Sequence, residues 1–164
     1  MQAVSLDIKR LARERSPSQP RHPLLPPQVI TFTRHWLSLN DGFTPRWAQF
    51  DMLNVADSVP YLTVLKARGE RAFDVEFVGS AVTALTDGLI SVGKVIIPSS
   101  VLGDIAWVGR AKLAVELSDI QVATGTVNPP YTSSIDYVSA DFPFLGEAGA
   151  AVDVVACVTV PRVN

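Results

Sequence analysis

Tyr61–Ser80 reads YLTVLKARGERAFDVEFVGS, and its period decides the fold. The first eight residues are rich in aromatic and β-branched side chains, as strands are. Arg68–Arg71 (RGER) supplies a turn. Ala72–Gly79 then alternates: Phe73, Val75 and Phe77 on one side, Asp74 and Glu76 on the other. Side chains of a strand point to opposite faces at a period of two. The stretch therefore predicts a β-hairpin with one buried face, and puts Asp74 and Glu76 toward solvent.

Working outward toward the N-terminus, the period changes to that of a helix. Val29, Phe32, Thr33, Trp36, Leu37 and Asn40 share a face over Val29–Asn40. Pro27 suits the first turn and Gly42 the stop beyond the cap. Asp51 is placed to cap a short helix through Ala56. Upstream, Ser16–Pro27 (SPSQPRHPLLPP) carries five prolines in 12 residues and reads as an extended linker. Residues 2–15 have a small apolar stripe, Val4, Ile8 and Leu11, fit for a short helix or tail. The division expected is a tail and linker over 1–26 and a domain over 27–164.

Toward the C-terminus, Ser80–Thr86 reads as a short helix ended by Asp87-Gly88, and Gly93 marks a turn. Ser100–Ala123 has no proline and reads as the longest helix. Thr124–Tyr131 reads as a break. Two strands follow, Thr132–Leu145 and Ala150–Val160, the second small and apolar enough to lie inside a sheet. Pro143 predicts a bulge or an edge in the strand that holds it. The order predicts an α+β domain: an antiparallel sheet of about five strands, helices on one face, and an N-terminal helix before it.

Composition narrows the function. Fourteen Lys and Arg against sixteen Asp and Glu give a net charge of −2, against a nucleic-acid surface, which needs concentrated positive charge. No apolar run is long enough for a membrane span. The basic start lacks the apolar core of a secretory signal, which predicts a cytoplasmic protein. The single cysteine, Cys157, rules out an intramolecular disulfide. His22 and His35 are the only histidines and lie apart, so no metal site is expected. Gly88–Lys94 (GLISVGK) lacks the Ser or Thr a phosphate loop places after its Lys, because Val95 follows.

At this point the chain resembles a PAS domain, and within that group the short bacterial PAS proteins with no attached output domain. The matching pieces are FTRHWLSL (32–39), VPYLTVL, FDVEFVGSAV, TDGLISVGK, VATGTV and FPFLGEAGAAVDVVACV, in that order. Pro45–Met52 departs from the charged pattern of that family. The resemblance implies a module that binds a small molecule or cofactor between sheet and helices and dimerises through N-terminal helices. It does not name a cofactor. A light-sensing member would need a cysteine on a helix beside a flavin, whereas Cys157 falls in the last strand. The expected function is a sensory or signalling module, without catalysis, that binds a small apolar ligand or a protein partner, its own second copy included. The pocket residues expected are Phe73, Val75, Phe77, Ser80, Thr86, Ile135 and Tyr137. A filled core in their place is the competing expectation. Two other functions stay open: a small isomerase or hydrolase on a curved sheet, with Asp136 or Asp74 turned inward, and a purely structural dimerisation module.

Overall fold

The computed structural model describes residues 25–70, 72–97, 106–128, 133–149 and 151–162. The predicted helix within 2–15, most of the proline-rich linker, and His22 lie outside them. Leu25, two residues before Pro27, is buried with the core.

Helix α1 spans Pro27–Leu39 and opens with proline at its first position. Its buried face is Val29, Phe32, Thr33, Trp36 and Leu37, as the periodicity predicts. The Thr33 hydroxyl, inside an apolar contact, donates back to the Val29 carbonyl at 2.7 Å. Gly42, at φ 86°, closes the helix by donating to the Leu37 carbonyl at 3.0 Å. A left-handed residue is needed there, and glycine adopts that conformation without strain. Short 3-10 turns follow over Trp47–Gln49 and Met52–Tyr61. Asp51 caps the second by accepting from the Leu53 amide at 2.9 Å.

The sheet has six strands: β1 Leu62–Arg68, β2 Ala72–Val78, β3 Val95–Ile96, β4 Gln121–Val127, β5 Ile135–Leu145 and β6 Val152–Pro161. Their spatial order is β3-β2-β1-β6-β5-β4, antiparallel throughout. Helices α2 (Ser80–Leu85) and α3 (Ala106–Leu117) lie in the crossover from β2 to β4. As expected of its composition, β6 is interior, between β1 and β5.

Three expectations are corrected. The strand count is six, because Val95–Ile96 adds a two-residue edge and Gln121–Val127 is a strand. The helix predicted over Ser100–Ala123 is described only as Ala106–Leu117, and Ala123 belongs to β4. An apolar run of that length carries both periods, and pairing with β5 settles it in favour of the strand. Helices also cover both faces of the sheet. On one face Val138, Ala140, Phe142 and Phe144 of β5 and Val154, Ala156 and Val158 of β6 pack with α1. On the other, Tyr137, Val155 and Cys157 pack with Val82, Leu85, Ala111 and Ala114 of α2 and α3. This explains why β6 lacks polar alternation, since both of its faces are buried. Each fully buried aliphatic or phenyl side chain contributes about 1.5–3 kcal/mol relative to exposure.

Pro143 sits where β5 has become an edge. β4 begins opposite Asp141, and past that point, on the side away from β6, only Pro45–Arg46 among the described residues runs alongside β5. The Leu145 amide donates to the Pro45 carbonyl at 2.8 Å, and the Trp36 indole donates to the Pro143 carbonyl at 2.9 Å. Proline, with no amide hydrogen to place, is tolerated at such a position.

Candidate functional site

Two strands of the sheet each carry one residue too many. Between β1 and β2, Val64 faces Phe77 and Leu65 faces Val75, so Glu76 has no opposite number. Between β5 and β6, Phe144 faces Val154 and Leu145 faces Val152, so Asp153 has none either. A β-bulge of this kind bends the strand and re-aims its side chains. Here it also moves Phe77 off the face that holds Phe73 and Val75. The clean alternation of Ala72–Gly79 is therefore a poor guide to its last third.

Both bulged carboxylates line the same groove, a cavity of about 350 Å³ across β2, β1 and β6. Its apolar lining is Trp47, Met52, Val64, Phe77 and Val154, and its charged groups are Lys66, Glu76, Glu147 and Asp153. The volume is within the range of small-molecule sites. Gly146 completes the lining. A methyl group there would overlap the Asp153 carboxylate, so glycine makes room for it. The Asp153 Oδ1 atom is shielded from solvent without a hydrogen-bond partner.

The groove wall is continuous with α1. Trp47 stacks on Phe50 with centroids 4.9 Å apart, and Phe50 lies 5.3 Å from Phe32 of α1. Trp47 and Phe50 also meet Phe144 edge-on, at 5.1 and 5.5 Å. The turn that holds Trp47 is pinned by the Arg46 amide, which donates to Gln49 Oε1 at 2.9 Å. The Gln49 amide group in turn donates to the Leu39 carbonyl at the end of α1 at 3.2 Å. His35 stands 5.7 Å from Phe50. Burial lowers its pKa, and nearby Asp51 offsets part of that.

The opposite face holds a second group of polar side chains, sealed under α3. Asp141 is 1% exposed and faces Cys157 on the neighbouring strand. Burial pushes its carboxyl pKa up to about 7, against the Cys157 thiol, Arg110 and the Ser139 hydroxyl, which favour the charged form. Neither carboxyl oxygen has a partner with good hydrogen-bond geometry, so burial outweighs those neighbours. The Cys157 thiol is itself pushed up, first by burial and then by Asp141. Ser139 and Thr159 share a hydrogen bond at 3.0 Å, and Thr63, opposite Cys157, is buried with its hydroxyl unpartnered. Tyr137 fits over Gly125, where any side chain would overlap its phenol ring.

Of the seven expected pocket residues, the fold gathers four. Phe73, Val75, Tyr137 and Ile135 belong to the cluster under α2 and α3, where Leu85, Ile90 and Ile96 pack beside them. Phe77 lines the groove on the other face. Ser80 is exposed. Thr86 is buried, but its hydroxyl is used within α2, donating to the Val82 carbonyl at 2.9 Å. Asp74 pairs with Arg68 at 3.3 Å, and Asp136 accepts from Thr126 at 2.7 Å; neither points inward. The fully buried carboxylate is Asp141, which is not among the residues expected from the sequence. The alternation points the other way: Val138, Ala140, Phe142 and Phe144 alternate with Ser139, Asp141 and Pro143, so Asp141 reads as lying on a solvent face until α3 is seen to cover it. Glu76 and Asp153 carried no signal either, since a bulge is not written in the alternation.

Among the described residues, no three His, Cys, Asp or Glu side chains are grouped to hold a metal ion. No described helix is long and apolar enough to cross a membrane. No protein-family model matches the chain, and no curated protein matches it.

Proposed function

We propose that this chain is a PAS-like sensory module in which a small molecule occupies the groove across β2, β1 and β6. The carrying observation is the position of Trp47. It lines the groove and, through Phe50, packs on Phe32 of α1. A ligand against Trp47 therefore has a short, packed route by which to bias the seating of α1, and with it a surface offered to a partner or second copy. Such a bias requires the ligand to prefer one arrangement of the helix over another. The antiparallel sheet, preceded by a helix and interrupted by a helical crossover, supports the PAS resemblance of the sequence. The ligand position differs from the one that resemblance implied, because the Phe73–Val75 face is filled by α2 and the Ile90–Ile96 segment.

The test is a thermal-shift screen of the full chain against a library of small metabolites, repeated on Met52→Trp, which narrows the groove. At least one compound should raise the melting midpoint of the parent chain and fail to raise that of the variant. A screen without any stabilising compound removes the proposal. Hydrogen exchange in α1 should change on saturation with a compound so found. An enzymatic reading is favoured by one observation, the inward Asp141 with a pKa of about 7, a suitable value for a general base. Its seal against solvent, at 1% exposure, makes it the second reading.

A further inference from the structure

The groove's charge is not balanced. Three carboxylates, Glu76, Glu147 and Asp153, face one lysine, Lys66. Two of the three are the extra residues of β-bulges on strands that flank β1 from opposite sides. Without the extra residue, the side chain before or after it would take another direction, because a one-residue shift reverses every later side chain. The two irregularities of register thus bring two acids to one apolar cleft. Neither Glu76 nor Asp153 is paired with a cation by any ion pair among the described residues. Glu147 likewise has none. Asp153 lines the cleft with one oxygen, Oδ1, shut off from water and accepting no hydrogen bond. Gly146 keeps the space that this carboxylate occupies. Beside these acids stand Trp47 and Phe77, whose ring faces attract cations, and the apolar side chains of Met52, Val64 and Val154.

Building on the sensory reading of the same groove, we propose that its ligand is a small organic cation: a protonated amine carried on an apolar or aromatic body. The ammonium group would lie between Glu76 and Asp153 and pair with their carboxylates. The body would lie against Trp47, Phe77 and Val64. An anion of the same shape would meet three carboxylates with one lysine to offset them, and is rejected. Lys66 sets the limit, since it competes with the ligand for the same acids.

The test uses three probes of matched shape, 2-phenylethylamine, 2-phenylethanol and 3-phenylpropanoate, titrated calorimetrically into the full chain at pH 7. The amine should bind at least tenfold more tightly than the alcohol, and the propanoate more weakly than both. Glu76→Gln with Asp153→Asn should lower amine affinity tenfold or more and leave the alcohol unchanged, which also shows that the variant is folded. Lys66→Met should strengthen amine binding, and added salt should weaken it in the parent chain. An amine that binds no better than the alcohol overturns the cationic class and leaves the groove reading standing. If neither amine nor alcohol binds, and the metabolite screen is also blank, the groove reading itself falls.

Discussion

Replacing Asp141 by asparagine should flatten the pH dependence of this protein's stability. The carboxyl of Asp141 is fully buried, and its pKa stands at about 7 in the folded chain against an ordinary 3.8. Unfolded, the group gives up its proton near pH 4; folded, it keeps it until near pH 7. Below pH 4 both states are protonated and the group carries no penalty. Between pH 4 and 7 the unfolded chain gains the free energy of ionisation and the folded chain does not. Stability therefore falls as pH rises through that window, and levels off above it. At about 1.4 kcal/mol per pH unit, the loss is roughly 4 kcal/mol. Asparagine has the same shape and cannot ionise, so whatever constant cost its amide brings has no slope. The assay is urea denaturation of both proteins at intervals from pH 4 to 8, comparing differences in unfolding free energy at each pH. Other carboxylates titrate alike in both proteins and cancel. The parent chain should lose roughly 4 kcal/mol relative to Asp141→Asn across the series. Profiles that stay parallel would show that Asp141 is solvated or paired in solution, and the account of the sealed face would be wrong.

Two further outcomes test the packing that frames the groove. Trp36→Phe keeps an aromatic ring in the α1 face but removes the indole donor to the Pro143 carbonyl. It should cost about 1–3 kcal/mol in the same denaturation assay, because a buried acceptor is left unsatisfied. Gly79→Ala should cost a similar or larger amount, about 1–3 kcal/mol or more, since the added methyl would overlap the carbonyls of Val59 and Pro60 where β2 passes into α2. A neutral result at Gly79 would mean that this junction shifts freely.

What the sequence determined by itself is local. The β1–β2 hairpin, the extent and buried face of α1, the turn at Gly93 and the interior place of β6 all follow from periods and breakers within a few residues. The hairpin that decided the fold class was legible because Phe73 and Val75 alternate with Asp74 and Glu76, and Gly69 offers the turn its positive φ. The boundary of α3 with β4 was not legible. Gln121–Val127 becomes a strand because β5 offers it a ladder of hydrogen bonds, and its partners run from Ile135, opposite Val127, to Asp141, opposite Gln121. The two-sided burial of the sheet was half legible, since the apolar run in β6 implied it once α1 was seen to need a surface, whereas β5 alternates polar and apolar residues. The groove belongs to tertiary structure alone. Its acids are aimed by two bulges, and a bulge arises when the pairing of two strands leaves one residue over. No stretch of β2 or β6 read in isolation contains that remainder. It is fixed by where Leu65 meets Val75 and where Leu145 meets Val152, and those meetings set which way Glu76, Phe77 and Asp153 face.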